Sequence, residues 1–591
     1  MSSAFRSRRL LAPLGVAAST LALIAAPACK KKQVEEVKKE ILKKVEIAEV
    51  PLPENAVGEL VVRDPETFMR KLSTGAGLEP ILGASPYQKL VDSVTDDSAK
   101  KAVKAIDPHG TIAGVGLYKF GNPAEKPHGV VAARLKDPDI AAAALDAAEK
   151  SGQSIKAWDS GVLGGKVYEI KDGGEVAVYG DVVLLADTRE AIDAAGKYVA
   201  WRAAKSSVDH ELVLRVPMDR IGPELKKLGV AEWAKVKPGD VPPKVKAEID
   251  PLVEPVLGGV ADMGQALVTF DIDGENLKLV ETFAAKASLS EWLKKFPTGD
   301  ATPLLTMPKA ESVSLQRFPD GLGPLAYALL EWGLDGATLS AADRAEASKQ
   351  ARALGKALGH SLAYATDSVK GAAPAPGAPP SLDTEIFVRF DLDDPAAVKG
   401  AVGSLRKLLE KSLGTAKKLT VTPYKKHGAE GETLATPAVI PGFGPTAATA
   451  TKDTWTWALK GSQLYVDLCL GCTPHLLDAA LDPAAKGTVA DDALAKARIG
   501  EFPTKDLVSA SYGTTLQLPG MPGGLGSFMG GPPPPPPKPG TAMWGWSTVA
   551  PTGVSAKGAV PLVFVGDLSK SLIAIAGMGM MGGGMGGPPP F

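Results

Sequence analysis

The chain has 591 residues, 45% of them hydrophobic and 23% charged, which is enough for more than one buried core. Its 66 basic and 67 acidic residues leave a formal net charge of −1, so no electrostatic footprint for nucleic acid or for a strongly acidic partner is present. With 64 Gly and 49 Pro against 6% aromatics, many turns and long connections are expected.

Arg6, Arg8 and Arg9 open the chain. An apolar stretch from Leu10 to Ala28, interrupted by Pro13 and Pro27, leads to Cys29 and three lysines. A basic start, an apolar middle and small residues at the junction form the layout of a cleaved export signal, and the two prolines argue against a spanning helix. Ala26, Pro27, Ala28 and Cys29 resemble a bacterial lipobox, in which the cysteine becomes the first mature residue and carries acyl groups such as palmitate. The commonest lipobox has leucine first and a small residue second, so Ala26 and Pro27 depart from it. The resemblance implies a signal peptide over 1–28 and lipidation at Cys29. Soluble export after cleavage and an uncleaved anchor are the other outcomes for such a segment. Ser7, Arg8, Arg9 and Leu11 look like part of a twin-arginine signal, from which Ala12 departs, so the general and twin-arginine routes both stay open. Lys30 directly after the cysteine resembles lipoproteins sent to the outer membrane. Residues 29–50, with "KKKQVEEVKKEILKKVEIAE" from Lys30, alternate basic and acidic residues around Val34, Val37, Ile41 and Val45, a charged tether or a short partner helix.

Beyond the tether, five blocks recur in the same order. "LPENAVGELVVRDPETFMRKL" from Leu52 matches "MPKAESVSLQRFPDGLGPLAY" from Met307: an apolar residue and proline, a strand, a proline and acid, then a helix. "GVVAARLKDPDIAAAALDAAEK" from Gly129 matches "IFVRFDLDDPAAVKGAVGSLRKL" from Ile386, each a strand before an Asp-Pro that opens an alanine-rich helix. Proline suits the first helical position, where its missing N–H is not needed, and the preceding aspartate can cap. "YGDVVLLADTREAIDAA" from Tyr179 matches "KGSQLYVDLCLGCTPHLLDAA" from Lys460, and "HELVLRVPMDRI" matches "KDLVSASYGTTLQL". "ALVTFDIDGENLKLVETF" from Ala266 matches "MWGWSTVAPTGVSAKGAV" from Met543, each a hairpin turning at Gly274 or Gly553.

The pattern predicts an α+β fold: two similar halves of largely antiparallel sheet with helices packed on one face, plus disordered Pro/Gly-rich insertions and tail. The first half spans 51–298 and the second 299–573, with the boundary inside "KKFPTGDATPLLTMP", Lys294 to Pro308. Flexible insertions fall near 371–382 and 518–540, and residues 574–591 form a Gly/Met/Pro tail. The proline run in the second insertion could dock a proline-binding domain, and the methionines of the tail could meet membrane or a soft metal; a solvated loop and a disordered end are the simpler readings.

Cys469 and Cys472 form a C-x-x-C between the strand "QLYVDL" and the helix "TPHLLDAAL", with Thr473 expected as the cap. A strand, C-x-x-C, helix order resembles thioredoxin, and a thiol there would have a lowered pKa. The first half makes the same turn without cysteines and about four residues shorter, so the framework does not need them. With Cys29 used for lipid in an oxidising envelope, a structural disulfide is one reading and a redox site another. Thr473 after the second cysteine excludes haem attachment, and His109, His128, His210, His360, His427 and His475 are too scattered for a zinc set. No metal and no cofactor are expected. Neither a G-x-S-x-G elbow nor a P-loop occurs; Ser98 with Lys101 and Ser404 with Lys407 match only the short S-x-x-K, and "FDIDGE" is a turn rather than a calcium loop. Trp455 with Trp457, and Trp544 with Trp546, sit at strand spacing and would form an aromatic surface for sugar or lipid if exposed, or core if covered.

Over most of residues 50 to 570 the chain resembles the uncharacterised exported lipoproteins of proteobacteria with large envelopes, whose repeated units begin with a leucine, a proline, a strand and an Asp-Pro helix. The resemblance brings no activity and no catalytic residue. The duplication without a catalytic constellation leads to the expectation of a non-enzymatic, lipid-anchored envelope protein with a binding or scaffolding role at the outer membrane, facing the periplasm or the outside. Its partners would be the membrane, through acylated Cys29, and an envelope protein or lipid. A periplasmic carrier of an apolar ligand such as lipid, and a C-x-x-C thiol oxidoreductase, are the alternatives.

Overall fold

The structure, a computed structural model, describes residues 47–93, 104–120, 126–150, 155–170, 174–205, 207–236, 243–319, 322–323, 327, 339–368, 384–413, 419–436, 453–470, 472–482, 487–514 and 542–565. The signal segment with Cys29, the tether up to residue 46, both insertions and the tail lie outside the described residues. The chain divides into two units: the described residues of Met1–Glu224 with Gly264–Glu281, and those of Leu225–Met263 with Thr282–Phe591. The division is therefore not a single cut, because Leu225–Met263 groups with the second unit.

In the first unit the strands are β1 (Ala56–Val62), β2 (Ile112–Leu117), β3 (His128–Arg134), β4 (Ile155–Ser160), β5 (Gly165–Ile170), β6 (Gly174–Tyr179), β7 (Val182–Ala186), β8 (Leu212–Pro217) and β9 (Met263–Asp273). They pair antiparallel in the order β4-β5-β6-β7-β3-β2-β1-β8-β9. β9 turns through Gly274, whose φ of +59° suits a residue without Cβ, into β10 (Asn276–Ala285).

The second unit contains β11 (Ser312–Arg317), β12 (Leu358–Ser368), β13 (Thr384–Leu392), β14 (Thr420–Lys426), β15 (Ala429–Thr436), β16 (Asp453–Lys460), β17 (Gln463–Leu470), β18 (Leu507–Gly513), β19 (Met543–Ala550) and β20 (Gly553–Pro561). Their antiparallel order is β14-β15-β16-β17-β13-β12-β11-β18-β19-β20. It repeats the first unit strand for strand. The five sequence blocks fall on β1 and β11, β3 and β13, β7 and β17, β8 and β18, and the β9–β10 and β19–β20 hairpins.

Strand ends and helix starts follow from local chemistry. Helices Pro65–Gly75, Pro138–Lys150 and Pro395–Leu413 each begin at a proline whose preceding aspartate caps the first turn. Asp64 accepts from Thr67 N at 2.9 Å, Asp137 from Ile140 N at 3.0 Å and Asp394 from Ala397 N at 3.0 Å.

The α+β class and the antiparallel sheets agree with expectation, but the helices do not keep to one face. In the first unit Val182, Leu184 and Ala186 of β7 pack with Ile192, Ala195 and Val199 of helix Arg189–Lys205. Val183 and Leu185, on the opposite face of the same strand, pack with Ala141 and Leu145 of helix Pro138–Lys150. The second unit repeats this: Tyr465 of β17 joins Leu476, Leu477 and Leu481, whereas Leu464 joins Ala357 and Val398. The reason is sequence-level. The run "VVLLA" in β7 is apolar at every position, the mark of a strand buried on both sides rather than of one that alternates.

Candidate functional site

Each unit buries charge at a place where the other does not. Glu59, in β1, is 1% exposed, and Arg215 stands opposite it on β8. Its carboxylate pairs with Arg202 of helix Arg189–Lys205 and lies 3.0 Å from Arg215 Nη1, while Tyr198 Oη donates to Oε1 at 2.8 Å. Burial, and then the Glu59 charge, push the Tyr198 phenol above its ordinary range. In the second unit the corresponding cross-strand pair of β11 and β18, followed across the strand registers, is Val313 and Tyr512. The framework thus folds around an uncharged pair as well as around an ionic cluster, which makes Glu59, Arg202 and Arg215 a property of the first unit alone.

The second unit carries its buried acids around the C-x-x-C. Cys469 and Cys472 form a disulfide with Cα atoms 5.4 Å apart. Cys469, at the end of β17, is fully buried, while Cys472, beyond it, is partly exposed with Sγ 3.7 Å from Thr384 O. Glu385 of β13 stands directly opposite Cys469 in the antiparallel register, so the two side chains share a face. Asp467, two residues before Cys469, occupies the same face of β17. Glu385 is 0% and Asp467 1% exposed. Apolar neighbours surround them, Phe387 opposite Asp467 being fully buried.

These acids organise the turn into helix Leu476–Leu481. Thr473 was expected to cap it, but the N-cap position falls on His475, which makes no side-chain cap bond. Glu385 Oε1 instead accepts the N–H groups of His475 and Leu476, both at 2.7 Å, and Asp467 Oδ2 accepts that of Leu477 at 3.4 Å. Buried carboxylates from two strands supply what a local hydroxyl would have supplied, and Thr473 is left exposed. The first unit uses the local solution: Thr188 Oγ1 accepts from Ala191 N at 3.2 Å.

The cluster reaches solvent through His475. Its Nδ1 lies 2.5 Å from Glu385 Oε2 and its Nε2 3.4 Å from Asp367 Oδ2, and its side chain is 52% exposed. Burial, and then the Glu385 charge and a carboxyl–carboxyl hydrogen bond, push Asp467 up to about 8, although Leu477 N–H pulls the other way. Two carboxyl groups can bond to each other only through a proton. Asp467 Oδ1, buried, has no hydrogen-bond partner among the described residues. Burial, followed by the charge of Glu311, also raises Asp367. The arrangement therefore sets two buried carboxyl groups, one of them pushed toward its protonated form, beside a disulfide, with a histidine between them and water.

The other expected sites are dispersed. Trp455 is 41% exposed on β16; Trp457 packs with Leu464 and Val398, and Trp544 and Trp546 pack against the opposite core. Arg498 lies over the Trp544 ring at 5.3 Å, and Phe502 is 6.0 Å away. The four tryptophans thus do not make one surface. Ser404 and Lys407 lie on helix Pro395–Leu413, and Ser98 and Lys101 are outside the described residues. "FDIDGE" is the β9–β10 turn. Among the described residues no group of three or more His, Cys, Asp and Glu could hold a metal ion, and no helix is long and apolar enough to cross a membrane. Glu59, Glu385 and Asp467 escaped sequence reasoning, although each is an acid inside an apolar strand, a placement that requires a partner.

No protein-family model matches the chain, and no curated protein matches it. Solved structures of TP0453 are similar over part of it: crystal form IV shares 10% identity at a TM-score of 0.20, covering 40% of this chain and 81% of that one. Crystal form III shares 10% identity at 0.20, covering 42% and 86%.

Proposed function

We propose that the chain is a non-enzymatic, lipid-anchored protein of the bacterial cell envelope, attached to the outer membrane through acylated Cys29, whose two α+β units serve binding or scaffolding. The observation that supports this reading is the repetition. Ten strands recur in one order, while the buried polar groups at corresponding positions differ. A framework kept through duplication while its interior charges diverge suits a platform that offers two related but distinct surfaces; fold alone names no reaction. The anchor rests on Ala26 to Cys29 and on Lys30.

Membrane fractionation of the full-length protein and of Cys29→Ser tests the anchor: the parent chain should pellet with membranes and the variant should become soluble. Equal partitioning of both would overturn it. Purified protein mixed with vesicles of labelled phospholipid should extract no lipid; stoichiometric extraction would replace scaffolding with lipid carriage, and turnover lost on a point substitution would make the protein an enzyme.

A further inference from the structure

We infer that the Cys469–Cys472 disulfide is a thiol-exchange site, attacked at Cys472 by an external dithiol and supplied with a proton by the buried Asp467–Glu385 carboxyl pair. The inference goes beyond the scaffolding role and does not rest on it. A structural disulfide needs only two cysteines in reach. This one is asymmetric: Cys472 is partly exposed, whereas Cys469 is enclosed with two acids on its face.

That asymmetry decides the direction of exchange. A thiolate can reach Cys472 Sγ. As the new sulfur–sulfur bond forms, the Cys469–Cys472 bond breaks and its electron pair leaves on Cys469 Sγ. An anion there would sit in an apolar interior beside Glu385, where both burial and like charge oppose it. A proton from the carboxyl pair converts it to the thiol, and the pair regains the proton from water through His475, which bridges Glu385 to the surface. The second thiol of the dithiol then attacks its own mixed-disulfide sulfur and leaves as a cyclic or intramolecular disulfide. The Cys472 thiolate is expelled. Two electrons pass from the dithiol to the protein, the co-reactant's two thiol protons balance those gained by Cys469 and Cys472, and no further oxidant is required. Reduced Cys472 keeps a place to donate, since its sulfur lies 3.7 Å from Thr384 O.

Two internal comparisons support the assignment. The corresponding turn of the first unit, Asp187 and Thr188, closes with a threonine cap and carries no cysteines, and the buried acid on that face, Glu175 opposite Ala186, is taken up by Trp158 and Arg189. Aligning the two halves places Ala186 where β17 has Asp467, so the fold does not demand the acid.

The test uses full-length protein with dithiothreitol as the dithiol, native conditions, and alkylation with mass detection. Reduction should proceed without denaturant. At pH 7 Asp467→Asn should slow it about tenfold or more, as expected for loss of a placed proton donor, and Asp467→Glu should restore much of the rate. Corrected for the thiolate fraction of the reagent, the parent rate should fall above pH 8 while that of Asp467→Asn stays flat. If Asp467→Asn does not fold, single-cysteine variants decide. Cys469→Ser should form a stoichiometric mixed disulfide with an aromatic disulfide reagent at least ten times faster than Cys472→Ser does. Reduction only in denaturant, equal reactivity of the two single cysteines, or identical pH profiles for the parent and Asp467→Asn would overturn the inference.

Discussion

Replacing Glu59 with Gln keeps the shape of the side chain and removes its charge from a site that is 1% exposed. The carboxylate is then lost to Arg202, whose side chain is 10% exposed, and to Arg215, 3.0 Å away, and Tyr198 loses a charged acceptor. Breaking a buried ion pair from one side costs about 3–5 kcal/mol, because the remaining charge stays desolvated. Hydrogen exchange of the β1 and β8 amides reads this locally: protection should fall by about a hundred- to a few-thousand-fold, at ~1.4 kcal/mol per factor of ten. The same argument predicts a rescue. Removing all three charges together, by Glu59→Leu with Arg202→Leu and Arg215→Leu, leaves no unpaired ion and should recover most of the loss, since apolar replacements of buried ionic clusters are often neutral or stabilising. The second unit already builds the corresponding β11–β18 pair without charge, from Val313 and Tyr512. A single-substitution loss under about 1 kcal/mol, or a triple variant no more protected than Glu59→Gln, would refute the reasoning.

Asp467 makes the second unit sensitive to alkali. Its native pKa lies above its unfolded value, so the native state holds an extra proton; the contribution is full below about pH 4 and is lost as pH rises through about 8. Glu385 faces it from β13, Tyr424 from β14, and His475 and Asp478 from the helix, with Asp367 beyond His475. Relative to Asp467→Asn, the parent should lose stability with a slope of up to ~1.4 kcal/mol per pH unit between those limits, measured by urea unfolding across pH; parallel curves would contradict it. Phe387 is fully buried with its ring 6.1 Å from that of Tyr465, so Phe387→Ala should destabilise by about 3–5 kcal/mol in urea titrations, and a loss under about 1 kcal/mol would show that the core there collapses freely.

Much of the framework is legible in the chain because it is written in local chemistry. Asp-Pro pairs at 64, 137 and 394 open helices, and Gly274 turns a hairpin. The two-sided burial of β7 is also legible, in five consecutive apolar residues, against the expectation of helices on one face. The buried acids were harder to read. Glu385 and Cys469 are 84 residues apart in sequence and meet only through the β13–β17 register, and Glu59 meets Arg202 across 143 residues. A strand acid among apolar neighbours signals that some partner exists; which one depends on tertiary pairing. Thr473 illustrates the converse, a good local cap displaced by carboxylates brought from two other positions.

The central claim, a lipid-anchored envelope protein, is tested most directly by the intact mass of the full-length protein after mild extraction from membranes of the bacterium that makes it. The account predicts a chain that begins at Cys29 and carries added acyl mass. A chain that retains residues 1–28, or one that starts elsewhere without lipid, would contradict it.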